Sequence, residues 1–239
     1  MKKIASNLDS TKQIPTADRA RIRRRLLAWY DRNRRDLPWR RRAADPYAQW
    51  VAEAMLQQTR VDTVLNYYER FLKRFPDVPA LARASREVVL KHWEGLGYYR
   101  RVVHLHEAAK QLAADGAAIP NSSHELRRLP GVGPYLAAAI ASIAFGERAA
   151  AVDGNVARVI SRLMGVTDDV QSGPGRRTIQ SLADQLIPPG RPGDFNQAWM
   201  DLGSAVCTSR SPDCDACPLS GECVALATGM TDELPVLPA

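Results

Sequence analysis

A chain of 239 residues with 45% hydrophobic content is long enough to bury a real core, and its composition excludes a disordered polyelectrolyte. No apolar stretch approaches the roughly 20 residues of a membrane span, and Met1 to Ser10 lacks the apolar centre of a secretory leader, so a cytoplasmic protein outside any membrane is expected. The formal net charge is +7, and eleven arginines fall between Arg19 and Arg42. Such a density suits a polyanion, because each cation seated on a phosphate releases a counterion; a solvated helix face accounts for it equally well.

The first predicted helix runs from Ala17 to Arg32, where Ile22, Leu26, Leu27 and Tyr30 recur at helical spacing. Asp36 to Arg42 contains Leu37-Pro38-Trp39-Arg40 and reads as a helix-breaking connection, with Asp45-Pro46 opening the next element. Helical patterns then cover 48–58, 61–74, 78–84, 85–94, 100–115 and 123–128. Gly131 and Gly133 mark a tight hairpin before an apolar helix over 135–145. Further helices are predicted over 156–164, 175–186 and 194–206, and strand-like alternation is scarce. The fold class is therefore all-α, closed by a C-terminal cysteine loop.

Four positions or clusters carry chemistry. Cys207-x6-Cys214-x2-Cys217-x5-Cys223 gathers every cysteine of the chain into one short loop. Four thiolates there suit a zinc ion or a [4Fe–4S] cluster, and ligand type does not choose between them. Leu129-Pro130-Gly131-Val132-Gly133-Pro134-Tyr135 has the form of a helix-hairpin-helix, whose backbone N–H groups and following helix end make a seat for phosphate. Asp153 precedes the helix 156–164, where a carboxylate caps the helix and is held in its charged form. Glu53, between alanines and three residues after Trp50, is a lone carboxyl on an apolar helix, and partial burial would favour its protonated form.

Hairpin, downstream aspartate and cysteine spacing together resemble the endonuclease III and MutY superfamily of helix-hairpin-helix DNA glycosylases. Leu37-Pro38-Trp39-Arg40, Asp45-Pro46-Tyr47, the run from Glu53 to Thr59, Glu94-Gly95-Leu96-Gly97-Tyr98-Tyr99 and Val152-Asp153-Gly154-Asn155-Val156 resemble the MutY family of adenine glycosylases, from about Asp36 to Val236. The resemblance implies a [4Fe–4S] cluster on Cys207, Cys214, Cys217 and Cys223, pinning a loop whose Arg210 approaches the DNA backbone. It implies Glu53 as general acid at adenine N7 and Asp153 as the carboxylate beside the sugar, both held in place by Tyr135 and Asn155. Trp39, Arg40 and Gln197 would line the base pocket. Gln58 and Tyr98 would fill the gap left by the flipped nucleotide, and Gly131, Val132 and Gly133 would hold backbone phosphate.

In this superfamily a lysine at the position of Tyr135 forms a Schiff base with the sugar and cuts the strand, whereas a phenol cannot. The expectation is thus a monofunctional enzyme, a monomer acting on double-stranded DNA with adenine mispaired with 8-oxoguanine or guanine. Two lobes are expected, a helical barrel over 36–143 and a cluster lobe of 1–35 plus 144–239, each supplying one carboxylate. The family's Nudix-like domain beyond the cluster loop has no counterpart in a sequence ending at Ala239, which leaves the 8-oxoguanine preference open. A thymine or uracil glycosylase acting on G·T or G·U pairs is the nearest rival, and a non-catalytic DNA-binding relative the second.

Overall fold

The computed structural model describes residues 13–238; the leader reading of Met1 to Ser10 lies outside them. Among these residues every regular element is helical, as the sequence predicts. The backbone divides into two compact units, one formed by Arg35–Ala151 and the other by residues up to 34 together with those from 152 onward.

The Arg35–Ala151 unit contains α2 (Pro38–Arg41), α3 (Pro46–Leu56), α4 (Val61–Arg74), α5 (Val78–Arg83), α6 (Arg86–Trp93), α7 (Arg100–Ala114), α8 (Ser123–Leu126) and α9 (Pro134–Ala144). The first of these corrects the sequence reading. Pro38 does not break a helix but starts one, in the first-turn position where its missing N–H is no loss. The short helix buries Trp39 edge-on against Tyr68, with ring centroids 5.5 Å apart.

Helix α3 is the centre of this unit and packs on α4, α7 and α9. Every residue from Tyr47 to Met55 is buried, so the helix has no solvent face to expose polar groups on. Ala48, Ala52 and Ala54 on α3 and Ala137 and Ala141 on α9 belong to one core. Small side chains let two helices approach closely, and this approach brings the first turn of α9 to the middle of α3.

The second unit holds α1 (Thr16–Asn33), α10 (Gly154–Met164), α11 (Gly173–Leu186), α12 (Pro192–Ala205) and α13 (Val224–Thr228), with a 3₁₀ turn at Ser220–Glu222. Helix α1 packs on α11 and α12, and α10 on α11, α12 and α13. Part of the arginine run is structural here. Arg23 donates to the carbonyls of Gln185, Leu186 and Ile187 at 2.7–2.9 Å, satisfying the open end of α11. Arg21 and Arg25 flank the carboxylate of Glu222 at 2.8 and 3.1 Å, tying α1 to the 3₁₀ turn. These three side chains are occupied within the protein.

Asp45 caps α3, its carboxylate accepting from the N–H groups of Tyr47 and Ala48 at 3.0 Å each. Asp45→Ala should lower unfolding stability by about 1 kcal/mol, seen as a reduced denaturant midpoint with an unchanged slope. A midpoint equal to that of the parent protein would show that the cap carries no stability.

Candidate active site

Glu53 is 4% exposed at the centre of α3. Its Oε1 accepts from Gln49 Nε2 at 3.1 Å and its Oε2 from Tyr135 Oη at 2.9 Å. A carboxyl group taken out of water needs such partners. Tyr135 reaches it because the hairpin turns the chain sharply just before α9. Gly131 makes that turn at φ 73°, and a Cβ there would lie 2.4 Å from His104 Cβ. Gly133 is different: its backbone is extended and it stands as the N-cap of α9 without a side chain. Val132 lies 6% exposed in the core, and its N–H donates to the Leu129 carbonyl at 3.1 Å. The hairpin therefore presents Gly131 and Gly133 at the surface, and not the Val132 side chain.

Gln58 and Tyr98 are both exposed, Tyr98 by 62%, and both adopt left-handed backbone conformations at φ 57° and 47°. That region costs a residue with a side chain roughly 1–2 kcal/mol, so both turns require support. Arg101, a residue the sequence reading passed over, supplies it. Its guanidinium donates to the carbonyls of Ala54, Met55 and Gln57, to Thr59 Oγ1, and to the carbonyls of Leu96 and Gly97. One cation thus closes the C-terminal end of α3 and ties the two exposed turns together. Burial pulls its pKa below the usual guanidinium range, with the Tyr98 phenol opposing.

Asp153, in the second unit, caps α10. Its Oδ1 accepts from Val156 N–H at 2.7 Å and its Oδ2 from Asn155 Nδ2 at 3.1 Å. Asn155 Oδ1 accepts in turn from Arg158 Nη2 at 2.9 Å. Arg158 also donates to the carbonyls of Gly203 at 2.7 Å and Cys207 at 2.9 Å. Burial lowers the Arg158 pKa, while Cys207 and Asp153 act against that shift. Gly203 permits the arrangement, since a Cβ on it would lie 2.7 Å from Asn155 Cβ. Neither Arg158 nor Gly203 carries a local sequence signal.

All four cysteines are free and half-buried, and they line one cavity with Arg162, Val206 and Leu226. Burial pushes the thiols of Cys214 and Cys223 up and that of Cys217 to about 11, so ligation here displaces protons. Arg162, 3% exposed, donates to Cys207 Sγ at 3.4 Å and to the carbonyls of Thr208, Ser209 and Leu234. It sets a cation against the sulfurs and fixes the loop.

The remaining predicted residues are placed as follows. Trp39 is in the core of the first unit, and Arg40 is half-buried with Nη1 donating to the Arg35 carbonyl at 3.0 Å. Gln197, in the second unit, is 8% exposed and donates weakly to the Gly193 carbonyl at 3.4 Å. Arg210 is exposed beside the left-handed Ser211, its carbonyl accepting from Thr208 Oγ1 at 2.8 Å.

The family model described as HhH-GPD superfamily base excision DNA repair protein matches residues 51–189, more than half of the chain. The chain belongs to this superfamily. A second model, the iron–sulfur binding domain of endonuclease III, matches 207–223, from the first cysteine of the loop to the last. The loop is thus a [4Fe–4S] site, and the thiol-lined cavity fits that group. Among relatives, the chain is 49% identical to human adenine DNA glycosylase, covering 83% of this chain and 38% of that one. It is 42% identical to the Arabidopsis thaliana adenine DNA glycosylase, covering 87% and 37%, and 40% identical to that of Mycolicibacterium smegmatis, covering 82% and 66%. The chain spans about two fifths of the length of the human and plant relatives. A thermostable thymine-DNA glycosylase superposes with a TM-score of 0.78 at 29% identity, covering 89% of this chain and 98% of that one. An endonuclease III–DNA covalent intermediate superposes at 0.74 and 21% identity over 91% and 100%, a likeness of fold.

Two outcomes are expected in this HhH-GPD protein. Arg162→Leu should cut retention of the cluster by about tenfold or more, measured as iron and acid-labile sulfide per chain after dialysis against a chelator. Retention like that of the parent would refute the role given to Arg162. Arg101→Leu should speed amide exchange over 57–59 and 96–98 while leaving α10 unchanged; uniform protection in both turns would contradict it.

Proposed function

We propose that this chain is a monofunctional adenine DNA glycosylase that flips adenine mispaired with 8-oxoguanine or guanine and hydrolyses its bond to deoxyribose. The observation that carries the reading is the bond from Tyr135 Oη to Glu53 Oε2 at 2.9 Å. The residue after the hairpin is a phenol engaged in orienting a buried carboxyl, not an amine free to attack the sugar. Without an amine no Schiff base forms, water takes the sugar, and the strand stays intact. Adenine as the base is supported by identities of 34–49% to proteins named adenine DNA glycosylases.

In the proposed mechanism Glu53 gives its carboxylic proton to adenine N7. The C1′–N9 bond then breaks with its electron pair going to the base, which leaves as neutral adenine. Asp153 meets the resulting oxocarbenium ion as a carboxylate. Water adds to C1′, and its proton passes to Glu53, restoring the acid. Asn155 and Tyr135 hold the two carboxyl groups through the hydrogen bonds already described. Trp39, Arg40 and Gln197 shape the base site. Gln58 and Tyr98 occupy the space left in the stack. Gly131, Gly133 and Arg210 bind backbone phosphate. The cluster, when bound, supplies no chemistry to this reaction and fixes the loop carrying Arg210.

A second reading, removal of thymine or uracil opposite guanine, draws on the likeness to the thymine-DNA glycosylase structure. Duplexes containing A·8-oxoG, A·G, T·G and A·T, treated with alkali after incubation, separate the two. Release from the adenine mispairs is expected, with no break before alkali; release from T·G alone overturns the proposal. Glu53→Gln and Asp153→Asn should each slow release by at least about 100-fold while duplex binding persists.

A further inference from the structure

Glu53 shares its buried face of α3 with a polar side chain to which no role has been given. Gln49 lies one helical turn earlier and is 1% exposed. Its Nε2 donates to Glu53 Oε1, while its own Oε1 is buried without a hydrogen-bond partner. An unpartnered buried carbonyl costs stability, and an aliphatic side chain would fill the same space in this apolar helix without that cost. The amide is planar and its nitrogen is fixed on the carboxyl, so the orphan oxygen is held beside the group that donates the proton.

We infer that Gln49 is a specificity-determining residue, whose Oε1 accepts the N6 amino group of the flipped adenine while Glu53 serves N7. The inference rests on the adenine reading above and adds what that reading lacks. Protonation at N7 does not by itself select adenine, because guanine also carries N7. The two purines differ at the neighbouring position: adenine has an N6 amino donor there, guanine an O6 acceptor, and thymine an O4 acceptor on the corresponding edge. A glutamine amide reads adenine through this same N6/N7 edge in duplex DNA. Here the edge is divided, with the acid O–H of Glu53 facing N7 and the Gln49 carbonyl facing N6. Guanine or thymine would set an oxygen against that carbonyl. A buried group without its partner is the strongest means a site has of rejecting a near-isostere.

The test compares adenine with unsubstituted purine, which keeps N7 and N9 but has hydrogen in place of the amino group. Both are placed opposite guanine, and single-turnover release is measured for the parent protein, Gln49→Met and Gln49→Leu, each first checked for folding by thermal melting. Differences in leaving ability cancel when the adenine-to-purine ratio is compared between proteins. Both variants also lose the Gln49 donor to Glu53, which slows release of both bases alike. Beyond that common loss, adenine release should fall further, so that the adenine-to-purine ratio drops about tenfold. An unchanged ratio, or an equal fall for both bases, overturns the inference while leaving the adenine reading intact. A parent protein that releases neither base sinks the adenine reading and the inference with it. If one variant fails to fold, the other gives the same comparison.

Discussion

A carboxyl group in the middle of a helix buried on every side is tolerable only if its oxygens find donors, and the Arg35–Ala151 unit is organised around meeting that condition for Glu53. One donor, Gln49, comes from the same helix by its four-residue spacing. The other, Tyr135, lies 82 residues away in sequence and arrives only if α9 packs closely on α3. That packing needs alanines on both helices and a turn sharp enough to begin α9 at the right place. Gly131 is thus constrained twice, by its left-handed backbone and by the His104 side chain lying where its Cβ would be.

The same economy governs α10 in the second unit. Asn155, Arg158 and Arg162 recur at three- and four-residue intervals and share one face. From that face a continuous series of hydrogen bonds runs from Asp153 through Asn155 and Arg158 to the Cys207 carbonyl, and Arg162 continues it to Cys207 Sγ. The loop that holds the cluster therefore bears directly on the cap of α10. The loop carrying the four thiols is coupled to this cap through the segment 207–209, which is an anchor for both arginines.

The exposed turns at Gln58 and Tyr98 show how strain is carried. Two side-chain-bearing residues hold left-handed conformations, and the compensation is a single half-buried guanidinium with acceptors on α3 and on both turns. The support belongs to none of the motifs in which these residues occur. It comes from the start of α7, where Arg101 reads in sequence as one more charge on a helix.

What the sequence determined by itself was local or repetitive: helical periodicity, the hairpin glycines, the cap at Asp153, the cysteine spacing and the missing amine at Tyr135. Each is set by the chain's own covalent neighbours, which is why it can be read without a fold. It misjudged Pro38, because a proline that stops one helix equally starts the next, and only the burial of Trp39 under Tyr68 decides between them. Tertiary structure alone decided that Val132 belongs to the core, that Arg23 closes α11, that Arg101 braces two turns and that Gly203 makes room for Asn155. It also left the Gln49 carbonyl unpartnered beside Glu53. Arg23, Arg101 and Gly203 meet partners tens to more than a hundred residues away, and no spacing rule reaches that far.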